Sequence, residues 1–227
     1  WFFIYSKFGK RVVLPYRQDM TSDVPGPISP PLLQYLIGRE IFGNAIIATI
    51  FDLARKKFLL IKQISVERKK YVFFGAMVLK DKYTWELDRE TWKSEKSNLL
   101  KYENKLIEFI FNTLAEGKNS ITLDKIKKSR NKFVKFFNHW KKDVKHLGSQ
   151  KGWYDDKGFQ GRNYSLILSG LMAISNIPLF IFFGPWAIIS GASTVITFGL
   201  SFLNVHRTLD GEMLYQKWNG LKKYLNK

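Results

Sequence analysis

At 227 residues, with a formal net charge of +18 and no cysteine, the chain is long enough for one or two cored domains, since single domains cluster at about 100–150 residues. Disulfides, thiolate zinc sites and cysteine nucleophiles are excluded. The cationic excess is ammonium, 28 Lys against 9 Arg; nucleic-acid binders favour the guanidinium fork, so the balance points first to the positive-inside bias of membrane-protein loops and to compositional drift.

The chain opens on WFFIYSKFGKR, apolar to Tyr5 and then basic at Lys7, Lys10 and Arg11. This reads as the cytoplasmic exit of a preceding span, and a start at Trp1 is expected of a processed chain or part of a longer one. VPGPISPP (Val24–Pro31) is a stiff linker that ends in a helix start, with Ser29 placed to cap and Pro30 in the first turn. Pro30–Ile37 predicts a short helix. Asn44–Lys57 predicts a second, with Ile46, Ile47, Ile50, Phe51, Leu53 and Ala54 at helical spacing and Asn44 as cap.

Phe58–Ile64 turns β-rich, a polar turn is expected at Glu67–Lys70, Tyr71–Leu79 predicts a second strand and Tyr83–Leu87 a third. Helices followed by a basic hairpin have the order of a winged helix. Leu99–Leu114 then predicts a helix closed by Gly117, Thr122–Lys128 a short one, and Phe133, Phe137, Trp140, Val144 and Leu147 an amphipathic stripe ended by Gly148. GWYDDKGF (Gly152–Phe159) could serve a second winged-helix-like unit as a degenerate wing.

From Asn163 to Val205 no side chain is charged, a length of two spans where one needs about 20 residues. A break at Gly184-Pro185 gives Asn163–Phe183 and Trp186–Val205, both long enough to cross; a break at Asn176-Ile177-Pro178 leaves the first piece too short, so Pro178 is expected to kink its helix. Lys151, Lys157 and Arg162 before the run, and Arg207, Lys217, Lys222 and Lys223 after it, place both ends in the cytoplasm. A buried soluble hairpin is disfavoured because soluble helices rarely stay uncharged all round over such a length. Trp186 and Tyr164 are expected near the interfaces. Thr208 caps a last amphipathic helix, Leu209–Leu225, with Leu214, Trp218, Leu221 and Leu225 on one face.

Three stretches, PGPISPPLLQYL (Pro25–Leu36), ATIFDLARKKFLLI (Ala48–Ile61) and TLDGEMLYQKWNGLKKYL (Thr208–Leu225), resemble the YciQ-like predicted membrane proteins, a family built around a domain of unknown function. The resemblance covers nearly the whole chain. One departure is Lys57, where the family has Gly before the aromatic residue. The resemblance implies an extracytoplasmic β-domain and a first span upstream, a membrane location, and no particular reaction.

The expected fold class is therefore α+β, winged-helix-like cytoplasmic modules followed by a transmembrane α-helical hairpin. In residues, 1–6 end a preceding span, 7–31 form a basic and Pro-rich linker, 32–96 a winged-helix-like unit, 97–162 a second, mainly helical unit, 163–205 the two membrane helices with their turn at Gly184 and Pro185, and 206–227 a cytoplasmic tail. The location is a cell membrane, multi-pass, with 7–162 and 206–227 cytoplasmic.

Chemistry is sparse. The sequence carries no phosphate-cradling glycine loop, GxSxG elbow or HExxH helix. His139, Asp143 and His146 fall on one helix face, but Lys135, Lys141, Lys142 and Lys145 around them repel a cation, so a solvated face is the better reading and no metal or cofactor is expected. Lys118–Lys151 holds eleven basic against two acidic residues, with Phe136, Trp140 and Trp153 interleaved. Its candidate lipid- or phosphate-facing patch is Lys127, Lys128, Arg130, Lys135, Lys141, Lys142 and Lys145. Anionic headgroups of a bilayer are the favoured partner, each near-surface Lys contributing about 1 kcal/mol; nucleic acid is the alternative. The expectation is a non-enzymatic membrane protein serving as an interaction platform for protein partners or as a membrane-complex subunit, with a membrane-tethered nucleic-acid-binding regulator as the second reading.

Overall fold

A computed structural model describes residues 1–14, 20–73, 76–89, 99–184 and 187–227, and the side chains of all these except 65–83, 183 and 187. Two compact units emerge, one formed by Pro27–Gly148 and the other by Trp1–Gly26 with Ser149–Lys227.

In the Pro27–Gly148 unit, α1 having already passed (Phe2–Phe8, in the other unit), α2 spans Pro30–Gly38 and α3 Asn44–Arg55. Pro30 and Pro31 open α2, where a missing N–H costs nothing. Ser29 is the N-cap residue of α2 but its side chain does not cap, and Asn44 falls one residue inside α3, after Gly43. The Ser29 hydroxyl instead accepts from the Tyr102 phenol at 2.6 Å, and the Asn44 side-chain oxygen accepts from Gln34 Nε2 at 2.7 Å. Both side chains found a tertiary donor closer to hand than the helix's own N–H groups.

After α3 the chain turns at Lys57, whose φ of 65° lies in the left-handed region. Only Gly adopts that geometry without steric cost, so Lys57 holds it at a small strain. β1 (Leu60–Phe73) and β2 (Ala76–Asp88) then form an antiparallel ribbon. The expected turn at Glu67–Lys70 does not exist: these residues continue β1, which only shifts register at a bulge between Ser65 and Glu67. Charged residues can continue a strand when they pair across the ladder, as Glu67 does with Lys82 and Arg68 with Asp81, so polarity alone did not mark a turn there. Likewise Tyr71–Leu79 is no single strand but the two arms of the ribbon's end, and Tyr83–Leu87 belongs to β2; Phe74 and Gly75, within that expectation, lie outside the described residues.

The third strand comes from further on. α4 (Lys101–Glu108) runs into a π-helical turn, Phe109–Leu114, and after Gly117 at φ 82° the short β3 (Ser120–Thr122) pairs with Glu86–Asp88 of β2, giving the order β1-β2-β3. The stretches expected as two units, 32–96 and 97–162, thus share one sheet. α5 (Leu123–Lys128) follows, capped by Thr122 Oγ1, and α6 spans Arg130–Ser149. Leu36, Ile46, Leu53, Leu87, Leu106, Ile107, Ile110, Phe111, Trp140 and Val144 are buried in the core. Trp140 donates through Nε1 to the Tyr102 carbonyl at 2.9 Å and packs edge-on against the Tyr102 ring. Gly148 is required by close packing, since a Cβ there would meet the Tyr35 ring at 2.5 Å.

In the other unit, α7 spans Asp156–Phe183, α8 Ala187–Ser201 with a 3₁₀ turn at Phe202–Asn204, and α9 Leu209–Leu225. α7 starts seven residues before the uncharged run. Asp155 caps it, accepting the Lys157 N–H at 2.8 Å, so the expected wing at Gly152–Phe159 is replaced by one bridge, Tyr154 to Arg207, and a helix start. Gly184 ends α7 at φ 54° and its N–H bonds to the Phe180 carbonyl; Pro185 and Trp186, the rest of the expected turn, lie outside the described residues. Among the described residues one helix, Asp156–Phe182, has the length and apolarity to cross a membrane, and Ile188–Asn204 is a shorter apolar one. Pro178 lies inside α7.

α7 and α8 are linked by Asn176 Nδ2 to Thr194 Oγ1 at 2.9 Å and by Asn204 Nδ2 to Ser165 Oγ at 3.0 Å. The burial in this unit inverts that of the other: Ser165, Ser169, Ser201 and Asn204 are buried, while Ile167, Leu171, Ile174, Ile181, Ile188, Val195 and Ile196 face outward. α1 packs beside α7, where Gly161 leaves room for Phe8, and Trp1 Nε1 donates to the Leu200 carbonyl at 3.0 Å.

Candidate functional site: a basic face and an apolar helix pair

The basic face is built on α5 and α6, which carry most of the cations between Lys118 and Lys151, while Trp140, Val144 and Gly148 form the buried side of α6. The seven patch residues predicted from sequence are not equivalent. Lys141 and Lys145 turn to the loop after α2 and clamp Glu40, at 2.7 and 2.6 Å. These hydrogen bonds, Lys141 first, hold the Glu40 carboxyl down at about 2. Lys127, Lys128, Arg130, Lys135 and Lys142 are exposed, and among the described residues no carboxylate pairs with them. Lys127 and Lys128 sit in the last turn of α5, where a cation also favours the helix dipole.

One residue was missed. Lys132 is exposed and stands with Lys135, His139, Lys142 and His146 at spacings of three, four, three and four, one continuous row along α6. The spacing was readable; the row was hidden because the patch was collected by charge density rather than by helical face.

Among the described residues the three weighed as metal ligands do not converge into a group that could hold a metal. Asp143 accepts from Lys105 Nζ at 2.5 Å, His139 Nδ1 lies 2.9 Å from the Lys135 carbonyl oxygen one turn back, and both histidines are exposed. His139 and Asp143, with Lys105, Glu108, Phe109, Asn112, Thr113, Phe136 and Trp140, instead line a shallow cavity of about 400 Å³ between the π-helical turn and α6. Phe109 and Phe136 stack at 3.9 Å on its floor.

A second polar cluster ties the start of α7 to the end of α8. Tyr154 bridges Arg207, the Asp155 N–H donates to the His206 carbonyl at 3.1 Å, and the Thr208 N–H donates to the Trp153 carbonyl at 3.0 Å. Thr208 Oγ1 donates to the Gly152 carbonyl at 2.8 Å and accepts from the Gly211 N–H, capping α9 as its sequence position suggested. Asp155 also reaches His206 Nε2 at 3.3 Å, and Arg207 lies 3.7 Å over the Tyr215 ring while bonding Glu212 at 3.1 Å. On α9, Leu221 is buried and Leu214 and Trp218 are half-buried, but Leu225 is exposed.

A basic α+β unit joined to a unit whose long helix is apolar on the outside defines a membrane-associated class of protein. Residues 16–227 match the family model described as "Predicted membrane protein (DUF2207) C-terminal domain". The chain belongs to this family, whose domain is of unknown function. No curated protein and no solved structure matches it.

Proposed function

We propose that this is a multi-pass integral membrane protein, not an enzyme, that presents the Pro27–Gly148 unit on the cytoplasmic side as an interaction platform or as a subunit of a membrane complex. The observation that carries the membrane part is the inverted burial of α7 and α8, small and polar side chains inside and large apolar ones outside. Water would disfavour that arrangement, whereas in lipid, helix pairs associate through small residues and interhelical hydrogen bonds. The cluster joining residues 152–155 to 206–212 brings both ends of the pair together, which supports a hairpin with both ends on one side. The basic residues flanking the pair make that side the cytoplasm.

The platform role rests on the exposed row Lys132, Lys135, His139 and Lys142, whose lysines pair with no carboxylate among the described residues. Such a face meets an anionic surface, either bilayer headgroups or an acidic protein partner. We read the unit as winged-helix-like, with β3 between α4 and α5 as its short strand and the β1-β2 ribbon as a wing placed ahead of the helices. A winged helix also suits the second reading, a membrane-tethered nucleic-acid binder.

Photo-crosslinkers placed at Lys135 and Lys142 in the native membrane test the role. A discrete protein adduct is expected. Adducts to lipid alone would overturn the platform, and sequence-discriminating, salt-steep capture of duplex DNA would install the second reading. For topology, single cysteines at Gln150 and Asn226 should both react with an impermeant maleimide from the cytoplasmic side; reaction from opposite sides refutes the hairpin.

A further inference from the structure

The β1-β2 ribbon outruns the sheet it belongs to. β3 reaches only Glu86–Asp88, while β2 continues back to Ala76, ten residues beyond Glu86. At about 3.3 Å per residue the two-stranded arm extends roughly 30 Å past the third strand. The composition changes along it in two steps.

Farthest from the sheet are Tyr71, Val72 and Phe73 on β1, paired with Val78, Met77 and Ala76 on β2, and then Leu79 opposite Lys70. Consecutive residues of a strand alternate between its faces, so a run with no polar member makes both faces of the ribbon end apolar. A ribbon packed on a core needs one such face. A solvated one needs none, and an apolar strand end left bare is an aggregation site.

Directly behind comes a collar. Glu67 pairs with Lys82 and Arg68 with Asp81, opposite charges across the ladder, but Lys69 pairs with Lys80, and Lys70 follows. Like charges directly opposite each other destabilise a sheet unless an anion lies over them. By register, five cationic and two acidic positions follow directly behind the apolar end.

We propose that the tip of this ribbon, Tyr71–Phe73 and Ala76–Leu79, inserts into a lipid bilayer bearing anionic headgroups, with Lys69, Lys70 and Lys80 seated among the phosphates. An apolar end followed at once by a cationic collar matches the order of layers met on entering such a membrane, acyl chains beyond phosphates. About half of each strand's backbone groups bond the other strand and the outward half need polar partners, so the tip enters only to the headgroup–acyl boundary, where water and phosphate oxygens still reach them. This site is separate from the row on α6 and independent of how α7 and α8 cross.

The chain has no cysteine, so single-cysteine spin labels can be placed without background. In the full chain reconstituted into vesicles containing phosphatidylglycerol, labels at Val72 and Met77 should collide with oxygen in preference to a water-soluble nickel chelate, and a label at Leu60 should show the opposite preference. Lys69→Glu with Lys80→Glu should abolish the oxygen preference at Met77. Nickel access at Met77 as high as at Leu60 would overturn insertion, as would protection from both reagents, the mark of a protein partner or groove. Retention of the oxygen preference in the double charge variant would overturn the collar. A label at Ile174 reports on α7 alone, so failure at the ribbon and failure of the membrane reading are told apart.

Discussion

Among single residues, Glu103 has the most at stake. Its side chain is 1% exposed, and its two oxygens accept from Lys56 Nζ at 2.9 Å and from the Leu100 N–H at 2.9 Å, so one carboxylate opens α4 and anchors α3. Lys56 also reaches Asp52 at 2.8 Å. Burial alone would lower the Lys56 ammonium, but hydrogen bonds to Asp52 and Glu103 outweigh it and leave the group raised above 10.5. Lys56→Met should cost about 3 kcal/mol or more, because a buried carboxylate is left uncompensated, whereas Lys56→Met with Glu103→Gln should recover much of it; urea unfolding of the detergent-solubilised protein measures both. With the folded value raised, the stabilisation is complete below the ordinary lysine range and fades as pH climbs through the raised one. Glu40 has the opposite sign: its contribution is present above 4.5 and lost as pH falls through about 2. Since Glu40 is about half exposed, Glu40→Gln should cost under about 1 kcal/mol, and less in high salt. Lys57→Gly should be neutral or stabilise by up to about 1 kcal/mol, as it relieves a left-handed side chain. At this scale the sequence was legible for Thr208, where nothing competes for the cap, and illegible for Ser29 and Asn44, whose partners Tyr102 and Gln34 come from folding.

Elements were legible where one periodicity ran unopposed. α9 falls on Leu209–Leu225 as its Thr208 cap and apolar face required, and α6 follows the stripe through Trp140 and Val144. The strands were misread because Glu67–Lys70 is charged without being a turn. α7 was shortened because its first residues are charged: at 28 residues it measures roughly 42 Å at 1.5 Å per residue, longer than a hydrocarbon core of about 30 Å. Its first two turns, with Lys157 and Arg162, therefore suit the headgroup layer. Asn176→Leu should weaken the pairing of α7 with α8 by about 1 kcal/mol, the scale of interhelical hydrogen bonds in lipid, read as unfolding in mixed micelles. Gly211→Ala is expected to be worse, since a Cβ there collides with the Trp153 carbonyl oxygen. A cost of about 1–3 kcal/mol and faster proteolysis between Ser149 and Asp155 should follow.

Over the whole molecule, charge and hydropathy told more than motifs did. The uncharged run gave the apolar pair and the Lys excess gave the basic face, but sequence could not say that Lys141 and Lys145 are taken up by Glu40, a residue about a hundred positions earlier. The shared sheet was equally hidden, for β3 is three residues long and its pairing is non-local. The polar cluster linking residues 152–155 to 206–212 carries a temporal consequence as well. Its two sides lie some fifty residues apart in the chain, so during synthesis the Gly152 and Trp153 carbonyls and the Asp155 N–H wait for His206 and Thr208. Folding keeps pace with synthesis by completed pieces, and this piece is completed only once residues 206–212 have been made. A chain stopped after Asn204 should insert yet stay cleavable before α7. Residues 206–212 thereby act as a latch, and a chain in which it has closed differs from one in which it has not by a protease-resistant stretch before α7.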